Sequence, residues 1–185
     1  SFADLLQRAR AEPGKLSYSS VGVGSALHLV GEWIASEANV NLTHVPFKGG
    51  TAPLTELLAG RVDVMIDTMT LTASLLKDGR VRALAVTSPK GASRVPGVPT
   101  VADTLPNVVF ESWLGIAAPP GTPQPIIDRL QRELRAVIES PEVRDKLIGF
   151  GGAPQASSPA EFKARVERDI DSLRKVALQR KIEAE

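Results

Sequence analysis

The chain has 185 residues, 43% of them hydrophobic, which suffices for one good core or two small ones and is too apolar for an intrinsically disordered chain. Its 22 Lys and Arg against 21 Asp and Glu leave no net field to hold a polyanion, and 4% aromatic residues give few stacking platforms, so no nucleic-acid partner is expected. The absence of cysteine excludes disulfides, thiolate catalysis and cysteine-held metals, and no apolar run reaches the roughly 18 residues that a bilayer span needs.

Ser1 followed by Asp4 predicts a helix start, with Phe2, Leu5, Leu6 and Ala9 on one face before Pro13 and Gly14 end it. A helix capped at the first residue is expected of a chain cut from a longer one. Residues 16–20 predict a short strand, broken by Gly22 and Gly24, after which Ser25 caps a helix carrying Leu27, Val30 and Ile34 on one face. The pattern repeats: a strand over 42–47, a turn of Lys48, Gly49 and Gly50, and a helix with Leu54, Leu57 and Leu58 inward, closed by Gly60. A strand over 62–67, a polar turn at 68–70, a helix ending near Gly79 and a further strand over 82–88 follow. Strands alternating with helices predict an α/β fold with a parallel, doubly wound sheet.

Pro, Gly and Ser crowd residues 89–106, an irregular stretch with one helical turn expected near 100–104, before the apolar segment 108–118, which reads as one long strand. A domain change is expected near Glu111, giving units 1–110 and 111–185. Beyond it, Thr122 with Pro123, Ser140 with Pro141, and Ser158 with Pro159 and Glu161 each predict a capped helix start. Ile127, Leu130, Leu134 and Val137 stripe the first of these helices, Val143 and Leu147 the second, and Phe162, Val166, Ile170 and Leu173 the third. Such stripes must be buried. The helices either pack on each other or, as the preferred expectation, on a sheet supplied by residues N-terminal to this chain.

In an open parallel sheet, ligands sit beyond the carboxyl ends of the strands, where helix N-termini present free N–H groups. The foremost candidate is Ser20, Val21, Gly22, Val23, Gly24 and Ser25, whose glycines let backbone approach a ligand while Ser25 caps the helix and offers a hydroxyl. The alternative is a tight strand-to-helix turn and nothing more. The spacing matches neither a dinucleotide fingerprint, a Walker loop nor a nucleophile elbow. Lys48, Gly49 and Gly50 form a second turn facing an anion or solvent. Asp67, with Thr68 after it, ends a strand where a ligand would lie, or caps the next helix. His28 and His44 lack a third ligand for a metal and read first as structural histidines. No nucleophile, base and orienting acid come together, which favours binding over catalysis and calls for no cofactor.

Certain runs are recognisable in order along the chain: Leu16-Ser17-Tyr18-Ser19-Ser20-Val21-Gly22-Val23-Gly24-Ser25-Ala26-Leu27-His28-Leu29, Val45-Pro46-Phe47-Lys48-Gly49, Leu57-Leu58-Ala59-Gly60-Arg61-Val62-Asp63, and Ala118-Pro119-Pro120-Gly121-Thr122-Pro123. With Arg82-Ala83-Leu84-Ala85-Val86-Thr87-Ser88, Val98-Pro99-Thr100-Val101 and Ser112-Trp113-Leu114-Gly115, the sequence closely resembles the tripartite tricarboxylate transporter receptors, the Bug or TctC family of extracytoplasmic solute-binding proteins. The resemblance implies a periplasmic-binding-protein type II-like, two-lobed fold in which one strand-turn-helix element per lobe pinches a ligand carboxylate. It implies that residues 20–25 are the second-lobe pincer, that Lys48, Gly49, Gly50, Asp67 and Thr68 line the same cleft, that 1–110 are the complete second lobe, and that 111–185 are the returning, incomplete part of the first. His28, three residues past Ser25, is counted with them as a candidate ligand-binding residue. The resemblance further implies a periplasmic location, a small organic acid as ligand (dicarboxylate, amino acid or aromatic carboxylate) and membrane transporter subunits as partners. Val23 and Thr68 stand where relatives often carry a polar residue and asparagine, which implies a less polar wall and a less hydroxylated acid. Unsupported apolar stripes make self-association of this chain a further expectation. Two other readings stay open: an enzyme with the glycine turn as an oxyanion or phosphate cradle and Asp67 as base, and the ligand-sensing domain of a transcription regulator.

Overall fold

The computed structural model describes residues 1–49, 51–89 and 95–183. Helix α1 (Phe2–Ala11) opens with a reciprocal capping box, Ser1 Oγ accepting from the Asp4 amide at 3.2 Å while the Asp4 carboxylate accepts from the Ser1 nitrogen at 2.9 Å. Its buried face is Phe2, Leu6 and Ala9. Strand β1 (Ser17–Ser20) leads through the glycine turn to α2 (Ala26–Glu37), and β2 (Thr43–Pro46) leads to α3 (Ala52–Leu58). Strand β3 (Val64–Met65) is followed by α4 (Met69–Lys77). The sheet order is β2-β1-β3, all parallel, with Tyr18 opposite both His44 and Val64.

This order makes β1 the point where the chain turns from building the sheet on one side to building it on the other. The right-handed rule for parallel crossovers then assigns α2 and α3 to opposite faces, and because the strands are parallel the turns after all three open on one edge. The core gathers Phe2, Leu6, Leu16, Tyr18, Val30, Ile34, Val101, Leu105 and Val108. Helix α2 lies so close to β1 that a Cβ on Gly31 would stand 2.4 Å from the Tyr18 ring.

Three expected elements differ. Residues 82–88 form no strand: a single parallel bridge joins Val86 to Thr100, and the Phe110 amide donates to the Thr87 carbonyl at 2.8 Å. Apolar runs report burial, and here burial comes from packing on an irregular neighbour without a continuous ladder. The strand expected over 62–67 keeps only Val64 and Met65 in the ladder, with Ile66 adding one bond to the Ser19 carbonyl at 3.3 Å. Residues 108–118 form no regular element, and Leu114 and Ile116 are exposed. The turn expected near 100–104 is a 3₁₀ helix, Val101–Asp103.

The second half contains α5 (Gln124–Glu139), α6 (Pro141–Gly149) and α7 (Pro159–Arg180). Thr122 does not cap α5; Pro123, extended at ψ 139°, takes that place and Pro125 sits in the first turn. Ser140 precedes α6 as expected, but its hydroxyl turns back to the Val137 carbonyl at 2.7 Å. The box of Ser158 and Glu161 forms as predicted. Helix α7 reaches back to α2, burying Val176 and setting Arg180 Nε 2.6 Å from Glu32 Oε2. Trp113 holds the irregular segment to α7 by donating to Asp169 at 2.7 Å and stacking edge-on against Phe162.

Candidate functional site

The glycine turn is built by its own residues. Gly22 (φ +139°) and Gly24 (φ +76°) take backbone conformations that side chains disfavour, and the turn closes when Ser25 N–H and Oγ both donate to the Gly22 carbonyl, at 3.3 and 2.8 Å. Ser25 also caps α2, accepting from the His28 amide at 3.2 Å. Its hydroxyl is therefore committed, and the free donor expected from the sequence is absent. Two glycine amides are committed as well, Gly22 to Ser20 Oγ (3.3 Å) and Gly24 to His28 Nδ1 (3.1 Å). Among the described residues, the amides of Val23, Ala26 and Leu27 have no hydrogen-bond partner, so three N–H groups stand open at the positive end of a 12-residue helix.

The second turn is tied to the first: Phe47 N–H donates to the Ser20 carbonyl at 3.0 Å and Gly49 N–H to the Val21 carbonyl at 3.3 Å. Gly49 and the exposed Lys48 thus flank the glycine turn, while Gly50 lies outside the described residues. Asp67 stands just past β3 on the same edge, half-buried, and accepts from the Thr68 amide at 2.6 Å. Burial pushes its carboxyl above the ordinary range, opposed by the Thr68 bonds. Thr68 precedes α4 without capping it through its side chain, and among the described residues neither Asp67 nor Thr68 bonds to the glycine turn.

Beneath the turn lies a cluster that local sequence does not reveal. His28 and His44 stack with ring centroids 3.8 Å apart, and Tyr18 stacks on His44 at 4.9 Å. His44 Nε2 lies 2.7 Å from Ser20 Oγ. The Tyr18 hydroxyl donates to Glu32 Oε1 at 2.8 Å, and burial with this acceptor keeps the phenol protonated. Burial also lowers both histidines, and the neighbouring ring helps bring His44 to about 4. The only sequence signal for the cluster is polar residues recurring on segments otherwise reading as core.

Residues 1–179 match the sequence profile of the tripartite tricarboxylate transporter family receptor, TctC. The chain belongs to this receptor family. Among TctC relatives, it is 42% identical to the UPF0065 protein in the tcbD-tcbE intergenic region of a Pseudomonas species, over 90% of this chain and 52% of that protein. It is 35% identical to a UPF0065 protein of Pseudomonas knackmussii, over 81% of this chain and 90% of that one. The solved structure of R. palustris Rpa4515 with adipate superposes with a TM-score of 0.87 at 34% identity, over 100% of this chain and 62% of that one. MatC from Rhodopseudomonas palustris with bound malate gives 0.81 at 26% identity, over 94% and 60%. Against most of its curated TctC relatives, the chain spans about half their length. The fold is thus α/β of the periplasmic-binding-protein type shared by the TctC and Bug receptors. Among the described residues, no helix is long and apolar enough to cross a membrane.

Proposed function

We propose that the protein is a periplasmic receptor for a small organic carboxylate, most simply a dicarboxylate, which it delivers to the membrane subunits of a tripartite tricarboxylate-type transporter. Residues 20–25 form the second-lobe jaw, and residues 111–185 belong to the first lobe, which closes over the ligand. The observation that carries this reading is the set of open amides at Val23, Ala26 and Leu27, at the sheet's switch point and at a helix N-terminus. One carboxylate accepts two such bonds with the helix dipole in its favour. Lys48 and Gly49 line the same edge, and Asp67 with Thr68 is placed to accept from or donate to a ligand's other polar groups. Adipate and malate, bound by the two structural relatives, are the first ligands to test.

Ala26 gives a clean probe, because it is the first helical residue and Ser25 before it is already extended (φ −63°, ψ 153°). Proline is tolerated at that position and removes one N–H only. Calorimetric titration of the full-length protein is expected to show binding of at least one diacid, and Ala26→Pro should weaken it about tenfold, the worth of one charge-assisted hydrogen bond, without lowering thermal stability. Unchanged affinity in a folded Ala26→Pro protein would refute this assignment of the carboxylate.

A further inference from the structure

We propose that the stacked rings of His28 and His44 are a positioning pair, each gripping one glycine of the turn so that the neighbouring amides stay open to the ligand. The inference rests on the carboxylate reading above and adds to it two residues whose role is to shape the turn. His28 grips Gly24, because its Nδ1 accepts the Gly24 N–H at 3.1 Å. A ring nitrogen accepts only through a lone pair, so the neutral ring carries its proton on Nε2. His44 grips Gly22 through Ser20, whose Oγ lies 2.7 Å from His44 Nε2 and 3.3 Å from the Gly22 amide. The rings lie 14° from parallel with centroids 3.8 Å apart, so the two grips pack directly against each other. With the Gly22 and Gly24 amides held inward, the Val23 amide between them is left without a partner among the described residues.

Protonation undoes this arrangement. A proton on His28 Nδ1 sets two donors face to face, and a second charge on the adjoining ring is opposed at 3.8 Å. The groups facing the pair are Tyr18 from β1, Glu32 from α2 and, beyond Glu32, Arg180 from α7. Glu32 is shared between Tyr18 at 2.8 Å and Arg180 at 2.6 Å, which keeps its carboxylate occupied. Asp67 beyond β3 is engaged with Thr68, and Lys48 beyond β2 is exposed.

The test compares His28→Asn, which keeps an acceptor at the Nδ1 position and does not titrate, with His28→Leu, which has none. In titrations of adipate and malate against the full-length protein at pH 7.5, His28→Asn should bind within about threefold of the parent and His28→Leu about tenfold more weakly, the loss of one hydrogen bond. Between pH 7 and 4 the parent should lose affinity more steeply than His28→Asn, since the diacid's own titration is common to both. Equal affinities and parallel pH profiles would overturn the proposal. A second measurement needs no ligand: in ¹⁵N NMR the His28 ring should be the Nε2–H tautomer at pH 7.5, and the Gly24 amide shift should follow the titration of that ring. If neither diacid binds the parent, the carboxylate reading fails by itself. The NMR result then decides the pair, coincident titration upholding the grip on Gly24 and independent titration removing it.

Discussion

At the scale of single residues, the site depends on which polar groups are already used. Ser25 Oγ, the Gly22 amide and the Gly24 amide are consumed in shaping the turn, and that consumption leaves Val23, Ala26 and Leu27 open. The same bookkeeping gives the histidines a pH signature in stability. Burial and the adjacent His28 ring hold His44 near 4, against an ordinary histidine value of about 6.5. As pH falls from 6.5 towards 4, the unfolded chain binds the proton and the native ring does not. Stability is therefore complete above about pH 6.5 and declines as pH drops through that window. His28, shifted the same way by burial, adds to the decline. Urea unfolding at pH 7.5, 6 and 5 should show a falling midpoint, and His44→Gln should flatten the fall; an equal fall in both proteins would assign it to other groups.

At the scale of elements, α2 fits tightly against the sheet. Gly31 has no room for a methyl group: its Cβ would meet Tyr18 Cε2 at 2.4 Å and Ile66 Cδ1 at 2.8 Å, and Tyr18 is fully buried. Alanine gains about 1 kcal/mol of helix propensity, but the overpacking typically costs 1–3 kcal/mol, so Gly31→Ala should destabilise by roughly 1 kcal/mol. Gly149 in α6 meets nothing within 4 Å, so Gly149→Ala should be neutral or stabilising by a few tenths of a kcal/mol. Denaturant midpoints of the two variants moving in the same direction would disprove this account of α2 packing. What was legible in the sequence follows from locality. The boxes at Ser1 and Ser158, the Ser25 cap and the glycine turn are set by residues three or four apart, and they appear where expected. The α5 start shifts by one residue because Pro123 itself takes the extended cap conformation. Residues 82–88 carry a strand's composition without its pairing, since pairing depends on a neighbour that no local window contains. His28 and His44 meet only because parallel β1–β2 register sets Tyr18 beside His44 while α2 folds back over β1.

Over the whole molecule, a series of contacts among the described residues runs from α7 to the glycine turn. Arg180 reaches Glu32, Glu32 accepts from Tyr18, and Tyr18 stacks on His44, which bonds to Ser20 at the start of the turn. Arg180 and Glu32, 148 positions apart in the chain, thus meet at one buried carboxylate. Removing Arg180 leaves Glu32, 9% exposed at its side chain, with the Tyr18 hydroxyl but without its counter-charge. A fully buried pair broken in this way costs about 3–5 kcal/mol, but Arg180 is itself about a third exposed and solvent screens it, so about 1–2 kcal/mol is expected for Arg180→Ala. The number alone does not separate lost charge pairing from lost packing of the arginine stem. A double-mutant cycle does: in a Glu32→Gln background the amide carries no charge to strand, so Arg180→Ala should cost about 1 kcal/mol less than in the parent. Equal costs in the two backgrounds, measured by urea unfolding, would mean that α7 is held to α2 by Val176 and its apolar neighbours, and that the ion pair only occupies the space between them.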